Sequence, residues 1–323
     1  MNYISTNDYM KKVFGKKIYK ISVNGGFTCP NRDGTKGTSG CVFCSGYGSG
    51  DFSEDAALSV TEQIERARGR VEAKMPRRSN STERDSGNYM AYFQAFTNTY
   101  APTERLRALF TEAMNHPDIV GISVATRPDC LPDEVIDLLQ ELNNVKPVWI
   151  ELGLQTIHKK SSDYIRRGYE LSVYDDAVKR LHGKVSHIIT HVILGLPGET
   201  REDMLDTVRY VGTLSQKIRE GAALDRIGAE GKKVVQEPEF GIKLQLLHVI
   251  RGTDLEKDYL DGKFSCMSME EYVNLIHDCI ELIPDNMVVH RITGDGAKKT
   301  LVAPLWSADK KKVLNALNRK LKE

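Results

Sequence analysis

The chain lacks any run approaching the roughly 18 consecutive apolar residues that a membrane-crossing helix requires. Its opening, MNYISTNDYMKK, has neither the apolar core nor the small-residue cleavage site of a secretory signal. No segment repeats at a fixed period and no tract is of low complexity, which excludes a solenoid. Net charge is nearly absent: 45 basic side chains face 44 acidic ones, for a formal +1. That balance excludes a uniformly basic nucleic-acid coat but leaves room for local basic patches. Cysteine is scarce, at six in 323 residues. The expectation is a cytoplasmic protein with no membrane association, and in a reducing compartment six cysteines read as metal or redox ligands before they read as disulfides. With 28% charged and 40% hydrophobic residues, the composition is that of an ordinary folded protein.

Short, nearly continuous apolar runs rich in β-branched and aromatic residues alternate with amphipathic stretches. The runs at 18–23, 89–96, 121–125, 148–154, 187–194 and 242–249 predict strands covered on both faces, as in a parallel sheet. Helices are predicted at 60–74, 103–114, 133–142, 173–182 and 201–218. Thr103 and Asp133 are candidate caps, with Pro102 and Pro132 setting the turns before them. Six βα units in about 250 residues fall short of the eight in a closed barrel. The predicted fold is therefore a partial (β/α)6 TIM-like barrel over 1–250. A C-terminal extension over 251–323 packs on it, with a strand at 287–292, a helix at 270–282 and a last helix at 309–321. Two polar segments, 75–87 and 220–239, read as insertions: solvated loops, or else a lid or partner contact.

The glycine-rich stretch 25–50 follows the first predicted strand and carries Cys29, Cys41 and Cys44 in a C-x11-C-x2-C spacing. Three thiolates at a strand's C-terminal end would stand at the barrel mouth, where such folds place their chemistry. Spacing leaves three readings open. A four-iron cluster held by three cysteines leaves one iron open; structural zinc needs a fourth ligand, for which Cys130 is a candidate; or the thiols are free. Cys130, at the end of a strand, is also a candidate substrate-facing thiol, whereas Cys266 and Cys279 read as core.

The cysteine loop, with Phe43 directly before its last cysteine, resembles that of the radical S-adenosylmethionine (radical SAM) enzymes. So do the strand ends ATRPD at 125–129, ELGLQ at 151–155 and GLPGET at 195–200, which are similar to the radical SAM domain of the Elongator catalytic subunit. YFQAFTNTYAP at 92–102, LLHVIRGTDLEKDY at 246–259, HRITGDG at 290–296 and APLWSADK at 303–310 narrow the resemblance to the YhcC/YtqA (MnmL-like) group. The eleven-residue gap is a feature of that group, and the Gly-Gly-Glu usual after the second strand is replaced here by Phe96-Thr97-Asn98.

The resemblance implies a [4Fe–4S] cluster on Cys29, Cys41 and Cys44 that binds S-adenosylmethionine (SAM) and cleaves it to a 5′-deoxyadenosyl radical. Phe43 is then expected beside the adenine, Thr97 and Asn98 at the methionyl amino group, and Arg127 on its carboxylate. Glu151 and Gln155 are expected at the ribose, and Gly195 where the backbone nears the adenine. His248, His290 and Arg291 are candidates for substrate contact or proton transfer. The group further implies an electron donor such as flavodoxin or ferredoxin and a tRNA substrate. By analogy the reaction takes a wobble 5-carboxymethylaminomethyluridine to the 5-aminomethyl form. Lys11, Lys12, Lys16, Lys17 and Lys20, then Arg66, Arg68, Arg70, Lys74, Arg77 and Arg78, and finally Lys310–Lys312 are the basic groups available to phosphates. The competing readings are a radical SAM enzyme acting on a small metabolite or protein side chain, and a zinc-stabilised nucleic-acid-binding module without catalysis.

Overall fold

The computed structural model describes residues 3–48, 50–51, 53–73, 87–230 (backbone only from 222), 239–294, 296 and 298–322. The strands are β1 (Ile4–Ser5), β2 (Tyr19–Val23), β3 (Tyr89–Phe93), β4 (Ile119–Thr126), β5 (Val148–Gln155), β6 (His187–Leu194), β7 (Phe240–Leu246), β8 (Val249–Ile250), β9 (Val288–Arg291) and β10 (Leu301–Ala303). Eight of them form one sheet in the order β1-β9-β7-β6-β5-β4-β3-β2, and each neighbouring pair is parallel. The six predicted strands are β2 to β7, and they lie side by side in chain order, as strands joined by short crossovers commonly do. The strand expected near 287–292 adds to the edge of β7 as β9, and β1, too short to read from the sequence, pairs beyond it. The result is the expected partial barrel of α/β class, widened to eight strands and left open.

Helices such as Val60–Glu72, Thr103–Asn115, Asp133–Asn143 and Leu171–Leu181 cover the outer face, and their apolar sides join the strands in the main core. A second apolar cluster lies under the cysteine loop, around Val42, Ile165, Leu196 and Leu247. A third plugs the bottom of the sheet. There the first helix, Thr6–Phe14, brings Tyr9 onto the ring of His187 at 4.8 Å and of Trp149 at 5.6 Å, both near the N-terminal ends of their strands. Aromatic stacking therefore closes one end of the barrel and leaves the other as the mouth.

Several local expectations are corrected. Pro102 and Pro132 occupy the N-cap positions themselves, so Thr103 and Asp133 are the first helical residues and cap nothing. β3 stops at Phe93, and Phe96 takes a φ of 62° that no strand accommodates. The helix that follows β6 runs over Arg201–Glu230, so the first half of the segment read as a loop at 220–239 is helical. Most of the other candidate insertion, 75–86, lies outside the described residues, as does 231–238. β8 leaves the main sheet and pairs antiparallel with β10.

Candidate active site

The loop from β2 to the first outer helix is shaped by its own turns. Arg32 N–H donates to the Cys29 carbonyl at 2.8 Å, Gly40 N–H to Asn31 at 2.7 Å and Cys44 N–H to Cys41 at 3.0 Å. The Arg32 guanidinium donates to the carbonyls of Cys44 and Ser45 at 2.9 and 2.7 Å. Glycine is needed at two points. Gly40 (φ +74°) would place a Cβ 2.8 Å from Arg32 Nε, and Gly48 (φ +58°) would place one 2.4 Å from the Phe96 ring. The Asn31 amide ties the loop down, donating to Arg166 O at 2.6 Å and to Cys41 Sγ at 3.5 Å.

Cys29, Cys41 and Cys44 thus reach one cavity at the barrel mouth as free, half-buried thiols. Burial, reinforced by Cys44 and Cys29, pushes the Cys41 thiol up to about 12 against the pull of Arg127 and the Asn31 hydrogen bond. Burial also raises Cys44, opposed by Arg32. Cys41 and Cys44 therefore give up their protons readily only beside a cationic group. A single tetrahedral zinc would hold its sulfurs about 3.8 Å apart. Among the described residues, the groups of three or more ligand side chains with all ligand atoms within 4.8 Å are Glu65–His116–Asp118 and His277–Asp278–Glu281, and the cysteines form no such group. Their wider spread fits a cluster that offers each thiolate its own iron. Among the described residues Cys130 does not line the cavity of the three cysteines; it is buried and lines a separate one with Pro102, Pro128 and Leu131.

Phe43, Thr97, Arg127, Glu151, Gln155, His248 and Arg291 line the same cavity as the cysteines, whereas Asn98, Gly195 and His290 do not. Gln155 (φ +69°) keeps a buried Oε1 without a partner, an acceptor suited to a ribose hydroxyl. The fork of Arg127 is already engaged by Asp129, with two bonds of 2.9 Å, so a bidentate grip on a methionyl carboxylate would have to displace it. Asn98 spends its amide on the Ala125 carbonyl at 2.8 Å. Gly195 (φ +93°) turns its N–H to Met204 Sδ at 3.0 Å and is crowded by Met267 rather than facing the cavity. His290 sits at the plugged end, 2.6 Å from His187 and edge-on to Trp149, and burial beside that second imidazole holds it well below the usual histidine range. His248 does sit at the mouth, beneath a turn where a Cβ on Gly294 or Gly296 would lie 2.4 or 2.7 Å from its ring.

Glu151, expected at the ribose, lines the cavity with its carboxylate already engaged. Its carboxylate, 1% exposed, accepts from Lys20 at 2.6 Å and Ser123 at 2.7 Å on one oxygen, and from His191 at 2.6 Å and Lys243 on the other. Burial opposes the charge, but Lys20, Lys243 and the His191 hydrogen bond hold the carboxyl well below its usual range. Gln245 Nε2 lies 3.1 Å from His191 Nδ1 and Glu151 takes the Nε2 side, a pairing that suits a neutral imidazole, and burial with Lys243 lowers the ring to about 4. Sequence reasoning missed Lys20, Tyr92, His191, Lys243 and Gln245 in this network. The signal was present: each is a polar residue inside an otherwise apolar strand, in IYKISV, YMAYF, IITHVIL and IKLQLL.

The family model of the Radical SAM superfamily matches residues 29–211, and that of the Radical_SAM C-terminal domain matches 240–323. The chain is 40% identical to YtqA of Bacillus subtilis over 99% of its length and 89% of that protein's. It is 34% identical to YhcC of Escherichia coli, over 96% and 89% respectively. A tRNA uridine(34) acetyltransferase of Dehalococcoides mccartyi is 25% identical over 54% of this chain and 33% of its own. Among solved structures, Elp3 of Methanocaldococcus infernus shares the fold, with a TM-score of 0.61 at 15% identity, covering 94% of this chain and 63% of that one.

Proposed function

The chain belongs to the radical SAM superfamily, within the YhcC/YtqA group related to Elongator, and on that premise we propose that it modifies the wobble uridine of tRNA. Membership brings a [4Fe–4S] cluster and SAM, which together supply a 5′-deoxyadenosyl radical after one-electron reduction. Cys29, Cys41 and Cys44 would hold the cluster. Gln155 would orient the ribose, Phe43 would offer the adenine an apolar face, and Arg127 with Asp129 would set the charge beside the methionyl end. The protein's part is to position these groups and keep water out. The proposed outcome is conversion of a 5-carboxymethylaminomethyl arm to 5-aminomethyl, in which the N–CH2 carbon would be oxidised by two electrons and hydrolysed, so that the two-carbon piece would leave as glyoxylate. SAM would take up those electrons in becoming methionine and 5′-deoxyadenosine, with the priming electron drawn from a small donor protein of the flavodoxin or ferredoxin class.

The observation that carries the chemistry is the convergence of three spread cysteines and an unpartnered Gln155 acceptor on one cavity. Support for tRNA comes from the Elongator-like strand ends and from the similarity to a tRNA uridine(34) acetyltransferase. Mass spectrometry of tRNA nucleosides from a deletion strain and its parent tests it. An accumulated wobble precursor in the deletion strain is the expected result, and identical wobble nucleosides would refute the tRNA substrate.

A further inference from the structure

Asn31 lies two residues after Cys29 and is only 5% exposed. A buried carboxamide has to place its polar atoms, and the fold gives the Asn31 amide a defined setting. Nδ2, with two hydrogens to give, donates to Arg166 O at 2.6 Å and to Cys41 Sγ at 3.5 Å. A backbone carbonyl can only accept, so Arg166 fixes the orientation of the amide: Nδ2, not Oδ1, faces the cysteine. Gly168 (φ +77°) leaves room for the other side, since a Cβ there would lie 3.1 Å from Asn31 Oδ1.

The Arg166 carbonyl is aimed by an uncommon backbone, a left-handed φ of 57° that few residues other than glycine adopt. Bonds on both sides hold that conformation. The Arg166 N–H donates to Asp163 O at 3.0 Å, and the next guanidinium, Arg167, donates to the carbonyls of Leu154 and Thr156 at 3.2 and 2.6 Å, around the end of β5. The Arg166 guanidinium itself reaches Asp254 at 2.7 Å. The amide is therefore anchored to the sheet and not by the cysteine loop alone. Cys41 Sγ also lies 3.8 Å from Arg166 O, a contact to which a thiol can donate and a thiolate cannot. The Asn31 N–H behaves oppositely, because a charged acceptor strengthens a hydrogen bond.

We propose that Asn31 is a positioning residue that raises the reduction potential of the cluster through its N–H···S bond to Cys41. This rests on Cys41 being a cluster ligand, the reading given above. A donor on a ligand sulfur draws negative charge away from it. One-electron reduction adds negative charge, so the donor favours the reduced form and eases electron uptake from the donor protein. The same bond aims the Cys41 side chain. The two effects have different signatures: aim shows in iron content, tuning in the potential.

The test is an anaerobic redox titration of the reconstituted full chain followed by electron paramagnetic resonance, with iron and sulfide analysis alongside. Asn31→Leu removes the donor at similar volume. It should retain iron and hold about tenfold less reduced cluster at a fixed potential, a midpoint lower by about 59 mV. Asn31→Asp, of the same shape but with no donor, should lower the midpoint at least as far. Asp254→Asn frees the Arg166 guanidinium without touching the amide and should keep the wild-type midpoint. Electron–nuclear double resonance of the reduced wild type in D2O should show a coupled deuteron that both Asn31 variants lack. The proposal is overturned if both Asn31 variants keep the wild-type midpoint, if Asp254→Asn lowers it equally, or if the deuteron signal is the same in all. If neither Asn31 variant takes up iron, the amide only builds the loop and the proposal falls as well. Full iron in Cys41→Ser would overturn the ligand reading and this proposal together. Loss of the cluster in Cys41→Ser beside an unmoved midpoint in the Asn31 variants would overturn this proposal alone.

Discussion

Lys243 is the residue whose protonation decides how the interior layer behaves. Burial, with Lys20 and Arg291 adding to it, lowers its ammonium to about 7 despite the attraction of Glu151. The groups that face it change little nearby: His191 is held near about 4 by burial first and Lys243 second, Glu151 lies well below neutrality and Tyr92 well above. Lys20 is also lowered by burial and so acts in the same direction. The positive charge that these two lysines hold beside Glu151 is therefore fuller below pH 7 and shrinks as pH rises. The cysteines make a second residue-scale case. Cys29→Ser, Cys41→Ser and Cys44→Ser should each lower iron content and abolish SAM cleavage, whereas Cys266→Ser, packed under the loop, and Cys279→Ser, in the core, should retain the cluster. Iron and sulfide analysis after anaerobic reconstitution reads this out, and a Cys41→Ser protein with full iron would refute the ligand assignment.

At the scale of elements, the strands were legible because strands covered on both faces carry unbroken apolar runs, and β3 shows it with five buried residues out of five. The helix starts were harder to read. Thr103 and Asp133 carry good capping side chains but follow prolines that take the cap position, a choice decided by backbone geometry that composition does not reveal. Ser268 had no such competitor and forms a full capping box with Glu271, bonded at 3.2 and 2.8 Å. The contrast is measurable by urea unfolding. Ser268→Ala should cost about 1 kcal/mol, and Thr103→Ala should stay within about 0.5 kcal/mol; equal destabilisation would contradict the cap assignment. The site was legible to a similar depth. The cysteines stand together in sequence and could be read directly. The Glu151 network joins six strands, β2 to β7, and exists only once their register is set.

At the scale of the whole molecule, the distribution of charge matters more than its near-zero sum, and the fold redistributes the basic groups seen in the sequence. Lys20 points inward to Glu151, and Arg68 is buried among Glu65, Glu72 and Asp118, so neither is available to a phosphate. Lys11 and Lys12 are exposed, but on the helix that plugs the barrel's closed end, opposite the cysteines. Lys74, Arg77 and Arg78 lie outside the described residues. Lys310–Lys312 begin the last helix, where Lys310 shares a small cleft with Thr293 and Gly294, next to the turn over His248. A nucleic acid that presents one base to the cavity must lay its backbone around the mouth, so phosphate contacts belong to this side. Anaerobic tRNA binding measured across a salt series should therefore weaken steeply with salt. Replacing Lys310, Lys311 and Lys312 with Gln should flatten the log–log slope by about one for each phosphate that is no longer neutralised. Lys11→Gln with Lys12→Gln should leave the slope as it was. If the helix at the closed end governs the slope instead, tRNA approaches from the wrong side for its base to reach the cysteines, and the wobble-uridine reading falls with it.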